Sequence, residues 1–230
     1  MVILPIGGGG LISGVGLALK TLRPGIKIIG VQTAAVPSMK KSVEAGTPVT
    51  LPPRDTIADG IAVQRPGELT LRYVERYVDE IVTVDEEEIA NAILLLLEQE
   101  KTVAEGAGAC ALAALSNGYV PAAHDRSTAI VLSGGNIDVN VLSRIIDRGL
   151  AKDGRLVQWE LYIHDEPGAL ENLLLKVGEC QANVIEIHHN RTFNQLGLAK
   201  VQVQLTLETR GGEHAAEVRA ALEAAGYLVS

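Results

Sequence analysis

Four consecutive glycines, Gly7-Gly8-Gly9-Gly10, lie between an apolar run at residues 2–6 and a helical stretch at residues 11–22. Residues without a Cβ let backbone N–H groups close around an anion, and the start of a helix adds partial positive charge. A tight turn with no ligand is the competing reading, but four glycines in a row cost more chain entropy than a mere turn needs. The chemistry on offer is a phosphate cradle made of main-chain amides. A Walker loop would need Gly-Lys-Ser/Thr. The first lysine is Lys20, more than about 10 Å down the helix at about 1.5 Å per residue. The dinucleotide pattern G-x-G-x-x-G/A fails as well. Counted from Gly7 its last position is Ile12, and counted from Gly8 it is Ser13. Val31, at the end of the second strand, is followed by Gln32 and Thr33 rather than by an acid. What remains is a small phosphate held by amides alone.

Two other clusters belong with this loop. Ser133-Gly134-Gly135-Asn136 follows an apolar run at residues 128–132, and Glu105-Gly106-Ala107-Gly108-Ala109 opens a helix of small residues. Taken singly, the first is an ordinary loop with a capping serine. Taken together, all three fall where strand ends should meet at one edge of a parallel sheet. The remaining polar clusters read as structural. His188 and His189 are neighbours on a strand, so their side chains face opposite ways and are poorly placed to share a metal. Asp85-Glu86-Glu87-Glu88 suits the first turn of a helix, with Asp85 and Glu88 spaced for a capping box. Cys110, in its small apolar helix, reads as an inert packed thiol. No metal site is expected.

The elements that must position these residues alternate through about residue 150. Strands are expected at residues 2–6, 26–31, 81–84 and 128–132. Helices are expected at 11–22, 37–45, 68–78, 85–100, 106–115 and from Asp138 to near Gly149. Residues 47–60 carry Pro48, Pro52 and Pro53 and read as a loop. Apolar strands that do not alternate, set between helices, imply a parallel sheet covered on both faces. The character changes after Ala151-Lys152-Asp153-Gly154. Alternating strands at 156–164, 184–188 and 200–208, helices at 169–180 and 212–225, and a short last strand at 227–229 give the order βαββαβ, a ferredoxin-like arrangement. Pro167 is placed to open the first of these helices, and a polar loop separates the middle two strands. The fold class is therefore α/β, with domains at residues 1–153 and 154–230.

The chain has 230 residues, of which 47% are apolar, enough for a sizeable core. Its net charge is −8 and its pI about 5.2. That balance argues against a general nucleic-acid surface and gives no attraction to anionic lipid. With aromatics at only 3%, base-stacking platforms and aromatic cages are not expected. No apolar run approaches the roughly 20 residues that span a bilayer. Two distant cysteines, Cys110 and Cys180, fit a reduced, cytoplasmic chain.

The residues Pro5-Ile6-Gly7-Gly8-Gly9-Gly10-Leu11, Thr56-Ile57-Ala58-Asp59-Gly60, Arg65-Pro66-Gly67, Glu105 to Ala109 and Ser133 to Asn136 together resemble the fold-type II pyridoxal phosphate enzymes, in particular the threonine ammonia-lyase (threonine dehydratase) family. The resemblance covers residues 1 to about 150. It implies the tryptophan-synthase-β-like fold without its beginning, and pyridoxal 5'-phosphate as cofactor. Gly7, Gly8, Gly9, Gly10 and Leu11 would hold the cofactor phosphate through backbone amides. Ser133 would hydrogen-bond the pyridine nitrogen, leaving the ring neutral, since a hydroxyl does not protonate it. Glu105 either approaches the ring or merely starts its helix. The implied reaction is deamination of threonine to 2-oxobutanoate and ammonia. The family's Schiff-base lysine sits in a Ser-x-Lys-x-Arg segment upstream of the glycine loop, and none of the chain's lysines stands in such a segment. The chain is accordingly expected to be a C-terminal portion, inactive alone. A serine dehydratase or racemase of the same fold is an alternative. For cation-binding racemases the matching positions here are Gln32, Val36 and Ser38, which makes a metal there doubtful. A non-catalytic amino-acid sensor is the alternative from a different class.

Ile163-His164-Asp165-Glu166-Pro167-Gly168-Ala169-Leu170 resembles the opening of an ACT domain. Free N–H groups at the start of the following helix could bind a carboxylate. The resemblance implies modules paired side by side in a homo-oligomer, with a free amino acid bound at their interface. Asp165, Gly168, Ala169, Leu170 and Asn183 are the candidate effector positions, and isoleucine or valine the candidate effector. A module that only dimerises is the competing reading.

Overall fold

The computed structural model describes residues 1–121, 127–191 and 199–230. The chain divides into two compact units, Met1–Ile145 and Ile146–Ser230.

In the first unit four parallel strands, β1 (Val2–Pro5), β2 (Ile28–Thr33), β3 (Glu80–Val84) and β4 (Ala129–Ile130), lie in the order β3-β2-β1-β4. Every residue of β2 is buried, as an apolar strand covered on both faces must be. On one face, Leu4, Ile6 and Ile28 pack with Ile12 of helix α1 (Gly10–Leu22), Met39 of α2 (Ser38–Ala45), and Leu71 and Val74 of α3 (Glu68–Tyr77). Each such buried side chain contributes about 1.5–3 kcal/mol. Ile3, Ile29 and Val31 alternate with these along their strands and are equally inaccessible. Helix α5 (Gly106–Ser116) packs across β1, β2 and β3, and α4 (Glu86–Glu100) packs on α5. Eight of the eleven residues of α5 are buried, which only a helix apolar on all sides can sustain. The capping box at α4 forms as the spacing predicts: Asp85 accepts from the Glu88 N–H, and Glu88 from the Asp85 N–H.

The strand expected at residues 128–132 is shorter and less buried than its apolar sequence implies. Only Ala129–Ile130 joins the ladder, with Ala129 exposed and Ile130 half-buried. Among the described residues β4 pairs only with β1. The loop expected at residues 47–60 runs into a 3-10 turn at Asp59–Ile61. The helix after Asp138, α6 (Val139–Lys152), passes Gly149 and contains the division between the units.

The second unit comprises β5 (Leu156–His164), α7 (Ala169–Glu179), β6 (Asn183–Asn190), β7 (Lys200–Glu208) and α8 (Gly212–Ala224), with an antiparallel sheet in the order β5-β7-β6. Val201, Val203, Leu205 and Leu207 alternate along β7 into a core shared with Trp159, Leu161, Leu173, Val177, Val218 and Leu222. The strand expected at 227–229 is a single antiparallel bridge, Leu161 to Val229. Pro167 does not open α7: Gly168, in the left-handed region at φ 88°, occupies the N-cap and the helix starts at Ala169. Of the polar loop expected between β6 and β7, residues 192–198 lie outside the described residues.

Candidate active site

The glycine loop leaves the carboxyl end of β1 and enters α1. Gly9 caps the helix at φ 90°, a conformation L side chains rarely adopt. A Cβ there would also stand 2.5 Å from Met39 Cε and 3.0 Å from Thr70 Cβ. Ser13 N–H closes the first helical bond onto the Gly9 carbonyl at 3.0 Å, while Ile6 N–H is spent on Val31 at 2.7 Å. Between them, among the described residues, the amides of Gly7, Gly8, Gly9, Gly10 and Leu11 donate to no protein acceptor. A Cβ on Gly10 would meet nothing within 4 Å. A row of undirected N–H groups at a helix start, bordered by open space, is the donor set an anionic phosphate requires. The residues present therefore fit a phosphate-bearing cofactor.

Ser133 follows the neighbouring strand. Val2 pairs with Ala129 and Ile3 with Ile130, and the Val131 N–H donates to the Ile3 carbonyl at 3.0 Å. Adjacent strands lie about 4.8 Å apart, so the two loops emerge side by side at the carboxyl edge of the sheet, where open α/β folds place ligands. Ser133 is half-buried, and its hydroxyl has no partner among the described residues. Helix α5 provides the seat beneath. A Cβ on Gly106 would overlap the Ile57 carbonyl oxygen, and one on Gly108 would overlap that of Ser133.

Glu105 and Glu86 carry more of the site than their sequence contexts suggest. Glu105 stands at the N-cap position of α5 without capping it. Its carboxylate instead accepts from the Asn136 N–H at 3.2 Å, and its own N–H donates to the Gly134 carbonyl at 3.3 Å. The Glu86 carboxylate, in the first turn of α4, accepts from Thr56 Oγ1 and, at 2.8 Å, from the Ile57 N–H. Thr56 Oγ1 in turn accepts from the Ala58 N–H at 3.1 Å. These bonds fix the approach to the Asp59–Ile61 turn. The only local signal for this role was the Thr56 to Gly60 motif itself.

A cavity of about 400 Å³ opens here, with Thr56, Asp59, Glu105, Asn136 and Arg144 among its lining residues. Neither the glycine loop nor Ser133 lines it. The Asp59–Ile61 turn stands between. A Cβ on Gly7 would lie 3.0 Å from Ile61 Cα, and one on Gly60 would lie 3.4 Å from Glu105 Oε1. Among the described residues no cluster suited to a metal ion occurs, and no helix is long and apolar enough to cross a membrane. Gln32 and Ser38 are buried. Gln32 Oε1 accepts from the Lys40 N–H at 2.8 Å, and the Ser38 hydroxyl donates to the Val63 carbonyl.

The second unit brings together only part of its candidate set. Asp165, Gly168, Ala169 and Leu170 follow one another past the end of β5. Asp165 pairs with Arg191 at 3.1 Å, and Ala169 N–H is spent on the Glu166 carbonyl at 3.3 Å. Asn183 is not with them. It pairs with Glu208 of β7, whereas His164 pairs with Lys200 at the other end of that strand. The separation is about 27 Å at about 3.4 Å per residue. The Asn183 side-chain amide donates to Glu208 Oε2 at 3.2 Å.

The chain is similar to known proteins over most of its length. The family described as "Pyridoxal-phosphate dependent enzyme" matches residues 1–134. An L-threonine ammonia-lyase of Thermotoga maritima is 49% identical over 229 residues, which is 100% of this chain and 57% of the relative. The chain thus spans a little over half the length of that relative. Among solved structures, a threonine deaminase from T.th. superposes with a TM-score of 0.56 at 39% identity, covering 60% of this chain and 50% of its own. Maize serine racemase superposes with a TM-score of 0.57 at 37% identity, covering 66% and 47%. On the match over residues 1–134, the chain belongs to the pyridoxal-phosphate-dependent enzyme family.

Proposed function

We propose that this chain is the cofactor-phosphate and regulatory part of an L-threonine ammonia-lyase, which converts threonine to 2-oxobutanoate and ammonia. The observation that carries the reading is the run of unpartnered amides from Gly7 to Leu11 beside the unpartnered hydroxyl of Ser133. The similarity to an L-threonine ammonia-lyase along the whole chain supports the choice of substrate. When bound, pyridoxal 5'-phosphate supplies the electron-withdrawing ring that lets an amino acid give up its α proton. The chain's own residues hold and orient. The Gly7–Leu11 amides would grip the phosphate, and the Ser133 hydroxyl would hydrogen-bond the ring nitrogen without protonating it. That leaves a weaker electron sink, suited to a substrate whose β-hydroxyl departs. None of the lysines lies in a Ser-x-Lys-x-Arg segment, and the chain alone is expected to release no ammonia from threonine.

The second unit, in this reading, is an ACT-type module that pairs with a second copy. An antiparallel pairing along the free edge of β6 would bring Asn183 of one copy toward the Asn190 end of the other, near Arg191 and its partner Asp165. A branched-chain amino acid would bind there, coupled to the active site by about 1–3 kcal/mol. Binding of pyridoxine 5'-phosphate tests the first part. This analogue lacks the aldehyde and so forms no adduct with surface lysines. Saturable binding, with pyridoxine itself not bound, is expected. Equal affinity for the two would contradict a phosphate site. Calorimetric titration of the chain with isoleucine and valine tests the second part, and absence of heat with both would leave the module only its pairing role.

A further inference from the structure

Glu105, at the N-cap position of α5, directs its side chain away from the helix it precedes. A side chain that caps a helix accepts from the N–H of the second or third helical residue. Glu105 makes no such bond, and among the described residues it has no ion-pair partner either. Its carboxylate reaches across to the Asn136 N–H, and its main-chain N–H to the Gly134 carbonyl. Residue 134 is shaped around it: φ is 81°, and a Cβ there would overlap the carboxylate. Glu105 Oε1 also lies 3.4 Å from where a Cβ on Gly60 would stand, in the turn that supports Gly7. One side chain thus bonds to the loop that carries Ser133 and borders the turn that backs the phosphate loop.

We infer that Glu105 is the positioning residue that sets the Ser133 hydroxyl in register with the Gly7–Leu11 amides, so that a ligand held by its phosphate meets that hydroxyl. The inference rests on the assignment of Ser133 to the ring of the ligand. It requires Glu105 to act through Ser133 and not on the phosphate loop itself.

The test uses the whole 230-residue chain, with two probes and a double-mutant cycle. Inorganic phosphate reports on the amides alone, and pyridoxine 5'-phosphate on the amides together with Ser133. Glu105→Ala is expected to leave phosphate affinity unchanged and to weaken pyridoxine 5'-phosphate about tenfold, or about 1.4 kcal/mol. Glu105→Gln, which keeps an acceptor for the Asn136 N–H, should stay within about twofold of the parent, a difference under about 0.5 kcal/mol. In a Ser133→Ala background the Glu105→Ala loss should disappear, because residues acting through one another are not additive. Hydrogen exchange at the Asn136 amide, measured without ligand, should speed up in Glu105→Ala and not in Glu105→Gln. If Glu105→Ala fails to fold, Glu105→Asp, one methylene shorter, takes its place in the same cycle. Additive losses, or unchanged pyridoxine 5'-phosphate affinity in Glu105→Ala, overturn the inference alone. Absence of pyridoxine 5'-phosphate binding by the parent chain overturns the functional reading and the inference with it.

Discussion

The carbonyl of Ser133 rests directly on Gly108 of helix α5, in the space a side chain at position 108 would fill. The small residues of α5 therefore do more than pack. They let the backbone of the second loop lie against the helix, which fixes where Ser133 can point.

Gly108→Ala should displace that loop and cost about 1–3 kcal/mol, the usual range for overfilling a packed site. Gly14→Ala, in the interior of α1 where a Cβ would meet nothing within 4 Å, should instead stabilise the chain by up to about 1 kcal/mol. Urea unfolding of the two variants checks the pair. Equal stability of the two would show that the loop is not seated as described.

Cys110 should be inert in the folded chain. It is fully buried, and its thiol donates to the Gly106 carbonyl at 3.2 Å. Burial, with the Glu86 charge adding, pushes the thiol up to about 12, which leaves about one thiolate in ten thousand at about pH 8. Alkylation followed by peptide mass spectrometry should label Cys110 only after denaturant is added. Rapid labelling under native conditions would contradict the packing.

Asp79 ties α1 to β2, accepting from Lys20 Nζ at 2.8 Å and from the Ile28 N–H at 2.7 Å. Partial burial pushes its carboxyl up. The hydrogen bonds from Lys20 and Ile28, with the Lys20 and Lys27 charges, outweigh that and hold it below its ordinary value. A carboxylate depressed on folding stabilises above its unfolded pKa, about 3.9. That contribution is lost as pH falls through the lower folded value. Because Asp79 is 37% exposed, Asp79→Asn should cost less than about 1 kcal/mol at neutral pH. The difference from the parent should shrink once the pH falls below about 4. A difference that grows on acidification, measured by urea titration at each pH, would contradict the sign.

The parts legible in the sequence were those encoded by short spacings. Four glycines between a strand and a helix, an Asp and a Glu three residues apart at the head of α4, and strict alternation along β7 each produced the element they announce. What escaped was set by partners far along the chain. Glu86 meets Thr56 across 30 residues, and Glu105 meets Asn136 across 31. Neither pairing leaves a local pattern. Nor does the apolar content of residues 128–132 encode how few of them form the strand, Ala129 and Ile130 alone. Asn183 and Asp165 stand at opposite ends of the sheet within one copy, a separation that only the register of β6 on β7 defines.

The central claim is that the amides opening α1 grip a phosphate. It is tested most directly by amide NMR of the nitrogen-15-labelled chain, titrated with pyridoxine 5'-phosphate. The Gly7, Gly8, Gly9, Gly10 and Leu11 resonances should move together and saturate at one affinity. If they stay fixed at ligand excess while other amides shift, or if none shifts at all, the phosphate site does not lie at this loop.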